Sequence, residues 1–263
     1  MRLKIVVALL LARPLAAQKT DTVSKTLFTR RDAVVAVGVI AGSVVMAHYD
    51  LKIEKWFRDT SLAHVRAGQR YDTLFSNLNE ITLTLGGVAA YGVGRLFKAQ
   101  ALTDIAFHTT EAIFTSDVFV QAVRAPLARS RPWVTNYTNQ YDFDWFRGFI
   151  DYKDRSFPSM HAATGFAAAT ALTMETHLRH PDAVKFVAPI LYALALTPGL
   201  SRMYLEQHWA SDVFAGAAVG TFAGIKAVGY SHAHPGGRLQ KALLPLNVSG
   251  ANGRLNVGWA TGY

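Results

Sequence analysis

The 263-residue chain contains no cysteine, which excludes disulfides, thiolate nucleophiles and Cys-ligated metal centres. An HExxH pair and a DxD-rich loop are missing as well, so no common metal-site signature is present. No apolar run reaches the ~20 uninterrupted residues that cross a bilayer. The run at 33–47 gives way to His48 and Asp50, that at 105–123 holds Glu111 and Asp117, and the one starting at Val213 holds Lys226. Charge is sparse, 17% of residues against 51% hydrophobic, apolar for a soluble protein and modest for a polytopic membrane protein. The net charge of +9 points to an anionic partner, a phosphate or a phospholipid head group. With no Lys/Arg run and no RNA-binding signature, nucleic acid is not expected.

Residues 1–17 have the form of a secretory signal peptide: Arg2 and Lys4, an apolar stretch from Ile5 to Leu11, then Ala16-Ala17 before the expected cut. Such a signal implies export to the cell envelope. Residues 18–32 are polar. Apolar stretches rich in Gly, Ala and Thr follow at 33–47, 81–97, 105–123, 161–174, 186–200 and 213–229. They lack strand-like alternation, so the expected fold is all-α, a bundle of about six helices within a domain at 18–242. Pro198-Gly199 reads as a helix stop. Gly216, Gly220 and Gly224 give one helix a smooth face for close packing. His48, His64 and His108 read as ordinary surface or core histidines. The tail, 243–263, has a hairpin-like β pattern around Ser249-Gly250-Ala251-Asn252-Gly253. Whether the helices span a membrane stays open, since six spans after an exported N-terminus would leave 124–160 in the cytoplasm.

Three segments carry chemistry. In 201–212, His208 and Asp212 are four apart, a spacing that puts both on one face of a helical turn. The carboxylate there accepts the imidazole Nδ1 proton and leaves Nε2 as nucleophile or base. Taken alone, the pair is better explained as a satisfied histidine beside a capping aspartate, and a metal-binding HxxxD is a third reading. Arg202, six residues before His208, suits an anion. Arg124, Arg129 and Arg131 cluster where the 105–123 helix ends, as an anion grip or a solvated basic edge. Pro158-Ser159 then opens a helix with His161 in its first turn, and helix N-termini hold anions. Between the last two segments lie nine aromatics: Trp133, Tyr137, Tyr141, Phe143, Trp145, Phe146, Phe149, Tyr152 and Phe157. They form either core, a lid, or a surface that dips into a bilayer interface.

The ordered set R-x6-R-P, P-S-x-H and S-R-x5-H-x3-D resembles the type 2 phosphatidic acid phosphatase/haloperoxidase superfamily over a motif core of roughly 80–230. The resemblance implies a helical bundle with the site at one end. Arg124, Arg131, Ser159 and Arg202 would bind phosphate oxygens. His208 would attack phosphorus, Asp212 would orient it, and His161 would protonate the leaving oxygen. It further implies a metal-independent, cofactor-free phosphatase acting on a phosphorylated lipid or small phosphate ester through a phosphohistidine. The protein would associate with the membrane, its site facing the periplasm. The alternative within the family is a vanadium-dependent haloperoxidase. This chain departs from the family pattern at Arg124 (usually Lys), Met160 (usually Gly), Glu206 (often Gly) and Ala210 (often Pro).

Overall fold

The structure, a computed structural model, describes residues 28–59, 75, 77–234, 246–251 and 254–259. The expected signal peptide at 1–17 lies outside the described residues. Among these residues seven α-helices follow in order: α1 (Arg30–His48), α2 (Asp50–Asp59), α3 (Glu80–Leu96), α4 (Gln100–Leu127), α5 (Met160–Arg179), α6 (Val184–Tyr204) and α7 (Ala210–Ala233). The all-α bundle expected from the sequence is what forms. Past it, the backbone of Leu246–Ala251 pairs antiparallel with Arg254–Trp259.

The bundle is centred on α5, which packs against α4, α6 and α7. Its sequence is mostly Ala, Gly and Thr, and Ala162, Ala163, Ala167 and Ala171 are fully buried. Small side chains let neighbouring backbones approach, and α7 exploits this with its glycine ladder. A Cβ on Gly216 would lie 2.2 Å from the Ser159 carbonyl oxygen, and one on Gly220 2.0 Å from that of Ala163. Gly220→Ala must therefore push α7 off α5, and is expected to cost at least ~1–3 kcal/mol. A lower unfolding temperature in detergent checks this; an unchanged one would mean the helices pack less tightly than described.

The expected helix stop at Pro198-Gly199 is wrong: α6 runs through both residues to Tyr204. Proline removes the N–H that would reach the Leu194 carbonyl. Thr197 repairs the loss, its Oγ1 donating to that oxygen at 2.6 Å. The missing side chain of Gly199 lets α7 in close, since a Cβ there would meet Val213 at 2.7 Å.

The helices also outrun their apolar stretches. Arg30–His48, Pro181–Tyr204 and Ala210–Ala233 are long and apolar enough to cross a membrane. The charges that interrupt the sequence runs are partnered: Glu111 accepts from Ser231, Asp117 from Thr164, and Lys226 pairs with Asp32. Large apolar side chains instead line the exterior, among them Val37 and Ile40 on α1, Ile81 and Leu85 on α3, Phe114 on α4 and Phe186 and Ile190 on α6. Facing water, so much apolar surface is unfavourable. The protein is built to associate with a membrane.

Candidate active site

Three stretches of chain deliver the candidate residues to one end of the bundle. Arg124 stands in the last turn of α4, which Ala128 ends in a left-handed conformation, φ 49°. The chain then extends through Arg129 and Arg131 into a 3-10 turn at Pro132–Thr135. Ser159 is the N-cap of α5 and His161 lies in its first turn. Arg202 sits in the last turn of α6, and a short loop then carries His208 to Trp209, the N-cap of α7.

Asp212 is in the first turn of α7, but His208 precedes the helix, so the two do not share one helical face as expected. Asp212 Oδ2 accepts from the Trp209 N–H at 2.8 Å and from Ser156 Oγ. His208 Nδ1 lies 3.6 Å from the same oxygen, too far for a hydrogen bond. Asp212 therefore both caps the helix and faces the imidazole, combining two of the readings the spacing allowed.

Behind Asp212 lies a network that sequence reasoning missed. Arg129, 1% exposed, bridges two buried carboxylates. Its Nη1 bonds Asp212 Oδ1 and its Nη2 bonds Asp50 Oδ2 at 2.8 Å. Asp50, at the start of α2, accepts from the Ser211 N–H at 2.9 Å. Burial works against the Arg129 charge, yet Asp212 and Asp50 together hold its pKa above the usual arginine value. Burial pushes Asp50 up to about 6, with Asp212 adding to the rise and Arg129 opposing it. Arg129 was visible within the arginine cluster; Asp50 and Ser156, belonging to no motif, gave no signal. Further bonds knit the stretches together: Trp209 Nε1 to the Ser130 carbonyl (3.0 Å), and the Ser159 N–H to the Asp212 carbonyl (2.9 Å).

The electrostatics at this end of the bundle are dominated by arginine. Arg124 Nη2 bonds the Arg155 carbonyl and Arg131 Nη1 bonds Gln207. Arg124 Nε, Arg131 Nε and Nη2, Ser159 Oγ and His208 Nδ1 are buried with no hydrogen-bond partner among the described residues. Buried donors of this kind, left unsatisfied, are costly. Burial and then Arg131 bring the Arg124 pKa down to about 10. Burial also lowers His208 to about 4, Asp212 only partly countering it while Arg131 and Arg124 add to the fall. His161 is brought to about 3 by burial and the fields of Arg202, His208, Arg124 and Arg131. The contacts of Arg131 with Gln207, of Arg124 with Met160 and of Ser159 with Asp212 bring the three segments together. Unlike the other candidate residues, His161 and Arg202 keep partial exposure and mark the side open to solvent.

The departures from the family pattern have local explanations. Glu206 adopts a left-handed backbone, φ 59°, a conformation glycine takes at no cost. Its carboxylate accepts from Tyr137 Oη. Met160, the first residue of α5, packs on Val120 and sets its sulfur 3.8 Å from Arg124 Nη1. Ala210 is the first residue of α7, a position that suits proline. In the aromatic segment, Trp145, Phe146 and Phe149 are more than 60% exposed and Ile150 is 88% exposed. That excludes the core reading for these rings.

Fold and site together define a helical-bundle protein with buried arginines and two histidines gathered at one end. Residues 106–234 match the family model of the PAP2 superfamily. Over 69 residues, 26% of the chain, the sequence is 44% identical to a lipid A 1-phosphatase of Porphyromonas gingivalis. The match spans only 15% of that relative's length. Among solved structures, a transmembrane PAP2-type phosphatidylglycerolphosphate phosphatase from Bacillus subtilis aligns with a TM-score of 0.45 and 19% identity. That alignment covers 77% of this chain and 98% of the other.

Proposed function

We propose that the protein is a membrane-bound phosphatase that hydrolyses a phosphomonoester or pyrophosphate of a lipid, without a metal, through a phosphohistidine. One observation carries the reading: buried arginine and serine donors that lack acceptors among the described residues lie against the segments that carry two histidines. A phosphate group supplies the acceptors those donors lack. The guanidinium groups then do the charge neutralisation that phosphoryl transfer needs at the equatorial oxygens.

His208 Nε2 attacks phosphorus, the N–P bond forms and the ester P–O bond breaks. Its low pKa keeps the imidazole neutral and nucleophilic near pH 7. As the ring turns cationic, Asp212 closes on Nδ1 and stabilises it. His161 donates a proton to the leaving oxygen, then takes one from the water that attacks the phosphohistidine. The bound phosphate's negative charge offsets the arginine fields and raises the His161 pKa to where it holds that proton. The PAP2 segment and the local identity to a lipid A 1-phosphatase support a lipid substrate.

Orthovanadate, occupying the phosphate position opposite His208, is expected to inhibit, and EDTA to leave turnover unchanged. Loss of activity in EDTA that Mg²⁺ or Zn²⁺ restores would sink the metal-independent reading. Bromide oxidation by the vanadate-loaded protein in place of ester hydrolysis would make it a haloperoxidase.

The signal-like N-terminus supports export, with the site facing the periplasm. A single cysteine at Asn139, in a chain that has none, should react with an impermeant thiol reagent on intact cells. A single cysteine at His180 should not. The reverse pattern would invert the orientation.

A further inference from the structure

Far from the phosphate-site residues, three helices bring together a histidine, a glutamate and a second histidine that the chemistry above does not use. They are His108 on α4, Glu175 on α5 and His232 on α7. His108 is 3% exposed and Glu175 fully buried. His108 Nδ1 lies 2.5 Å from Glu175 Oε1, and His232 Nε2 lies 2.8 Å from that same oxygen. Fourteen residues of α5 separate Glu175 from His161, ~21 Å along the axis.

We infer that these three residues form a binding site for a single divalent ion of the zinc class, one that ties α4, α5 and α7 together. Two imidazole nitrogens and one carboxylate oxygen, with no sulfur, match that class of ion. One ligand atom from each residue lies within 4.8 Å of the others. A tetrahedral ion with bonds of ~2.0–2.1 Å holds its ligands ~3.3 Å apart, so binding spreads the two Glu175 contacts by under ~1 Å and sets the two imidazole nitrogens, now within 4.8 Å of each other, at the same spacing. His232, with 39% of its side chain exposed, has the freedom to move and opens a fourth position to water. The other carboxylate oxygen, Oε2, accepts from Arg179, which fixes the ligand from behind.

Local charge favours a cation. Asp104 pairs with Arg179 at 3.5 Å. Glu111 accepts from Ser231, the residue before His232. With neutral imidazoles, Asp104, Glu111 and Glu175 outweigh Arg179 by two negative charges, which one divalent ion cancels. The competing account is a purely hydrogen-bonded clamp in which both rings donate to Glu175.

The test uses the purified full chain in detergent, stripped with a chelator and titrated with Co²⁺ and Zn²⁺. One equivalent of Co²⁺ is expected to give visible ligand-field bands of a low-coordinate N/O site, and Zn²⁺ to raise the unfolding temperature by several degrees. His232→Ala removes a ligand at a half-exposed position without emptying the core. It is expected to weaken both effects at least ~100-fold, and Glu175→Gln to weaken them further. Absence of the bands and of the shift in the wild type would leave only the clamp. A Zn²⁺ shift undiminished in His232→Ala would equally overturn the assignment. The readouts are spectral and thermal, so they stand apart from whether the phosphate site proves metal-independent.

Discussion

His208→Ala is expected to abolish turnover on every phosphate ester offered, whatever its leaving group, and to leave no phosphorylated protein on acid-free trapping. The reason is geometric and electronic together. His208 is buried beside the orphaned arginine donors, and its pKa of about 4 keeps the attacking nitrogen unprotonated. No other described side chain offers a neutral nitrogen in that position with a carboxylate 3.6 Å behind it. Steady-state assays on an alkyl phosphate and on p-nitrophenyl phosphate, with phosphate labelling, check this. Substantial activity on either substrate would remove His208 from the nucleophile's role.

His161→Ala should separate the two substrates that His208→Ala treats alike. A general acid matters in proportion to how badly the leaving oxygen needs a proton. The expected loss is on the order of 10²–10⁴-fold on an alkyl phosphate and far smaller on p-nitrophenyl phosphate, whose phenolate leaves as an anion. Phosphorylated protein, if trapped at all, should accumulate in this variant. The pH profile adds a second readout. A general acid must be protonated, so activity falls as pH rises through its pKa. Burial and its cationic neighbours hold His161 to about 3 in the free protein, and bound phosphate raises it. The falling limb of kcat should therefore lie at higher pH than that of kcat/KM, and vanish in His161→Ala. Equal losses on both substrates would mean that His161 only binds phosphate.

Both experiments rest on residues that the sequence singled out, because each sits in a short motif whose spacing has a chemical meaning. The helices were legible for a similar reason: Ala/Gly/Thr-rich runs without alternation have few other ways to bury themselves. Pro198 misled because its usual effect on a helix was offset by a neighbour one residue earlier, a compensation that only geometry reveals. The His208 and Asp212 spacing misled in a different way, since a four-residue interval fits a helical turn as well as a loop running into one. Asp50 was out of reach altogether. It lies far from every motif, and nothing local marks an aspartate that will be buried against an arginine 79 residues away. The membrane-facing exterior was under-read because the charges that break the apolar runs looked exposed, whereas the fold turns them inward to partners.

The Asp50–Arg129 pair ties α2 into the same cooperative unit as the candidate site. Residues 106–234 contain every candidate catalytic and phosphate-binding side chain, yet a fragment cut to those bounds loses Asp50. Arg129 would keep one carboxylate of two in a dry interior, and breaking a buried pair typically costs ~3–5 kcal/mol. The boundary drawn by kinship thus falls inside the boundary drawn by cooperativity. α2 and the loop after α4 thus act as one unit: loss of Asp50 leaves Arg129 with Asp212 alone, and loss of Arg129 strands both carboxylates.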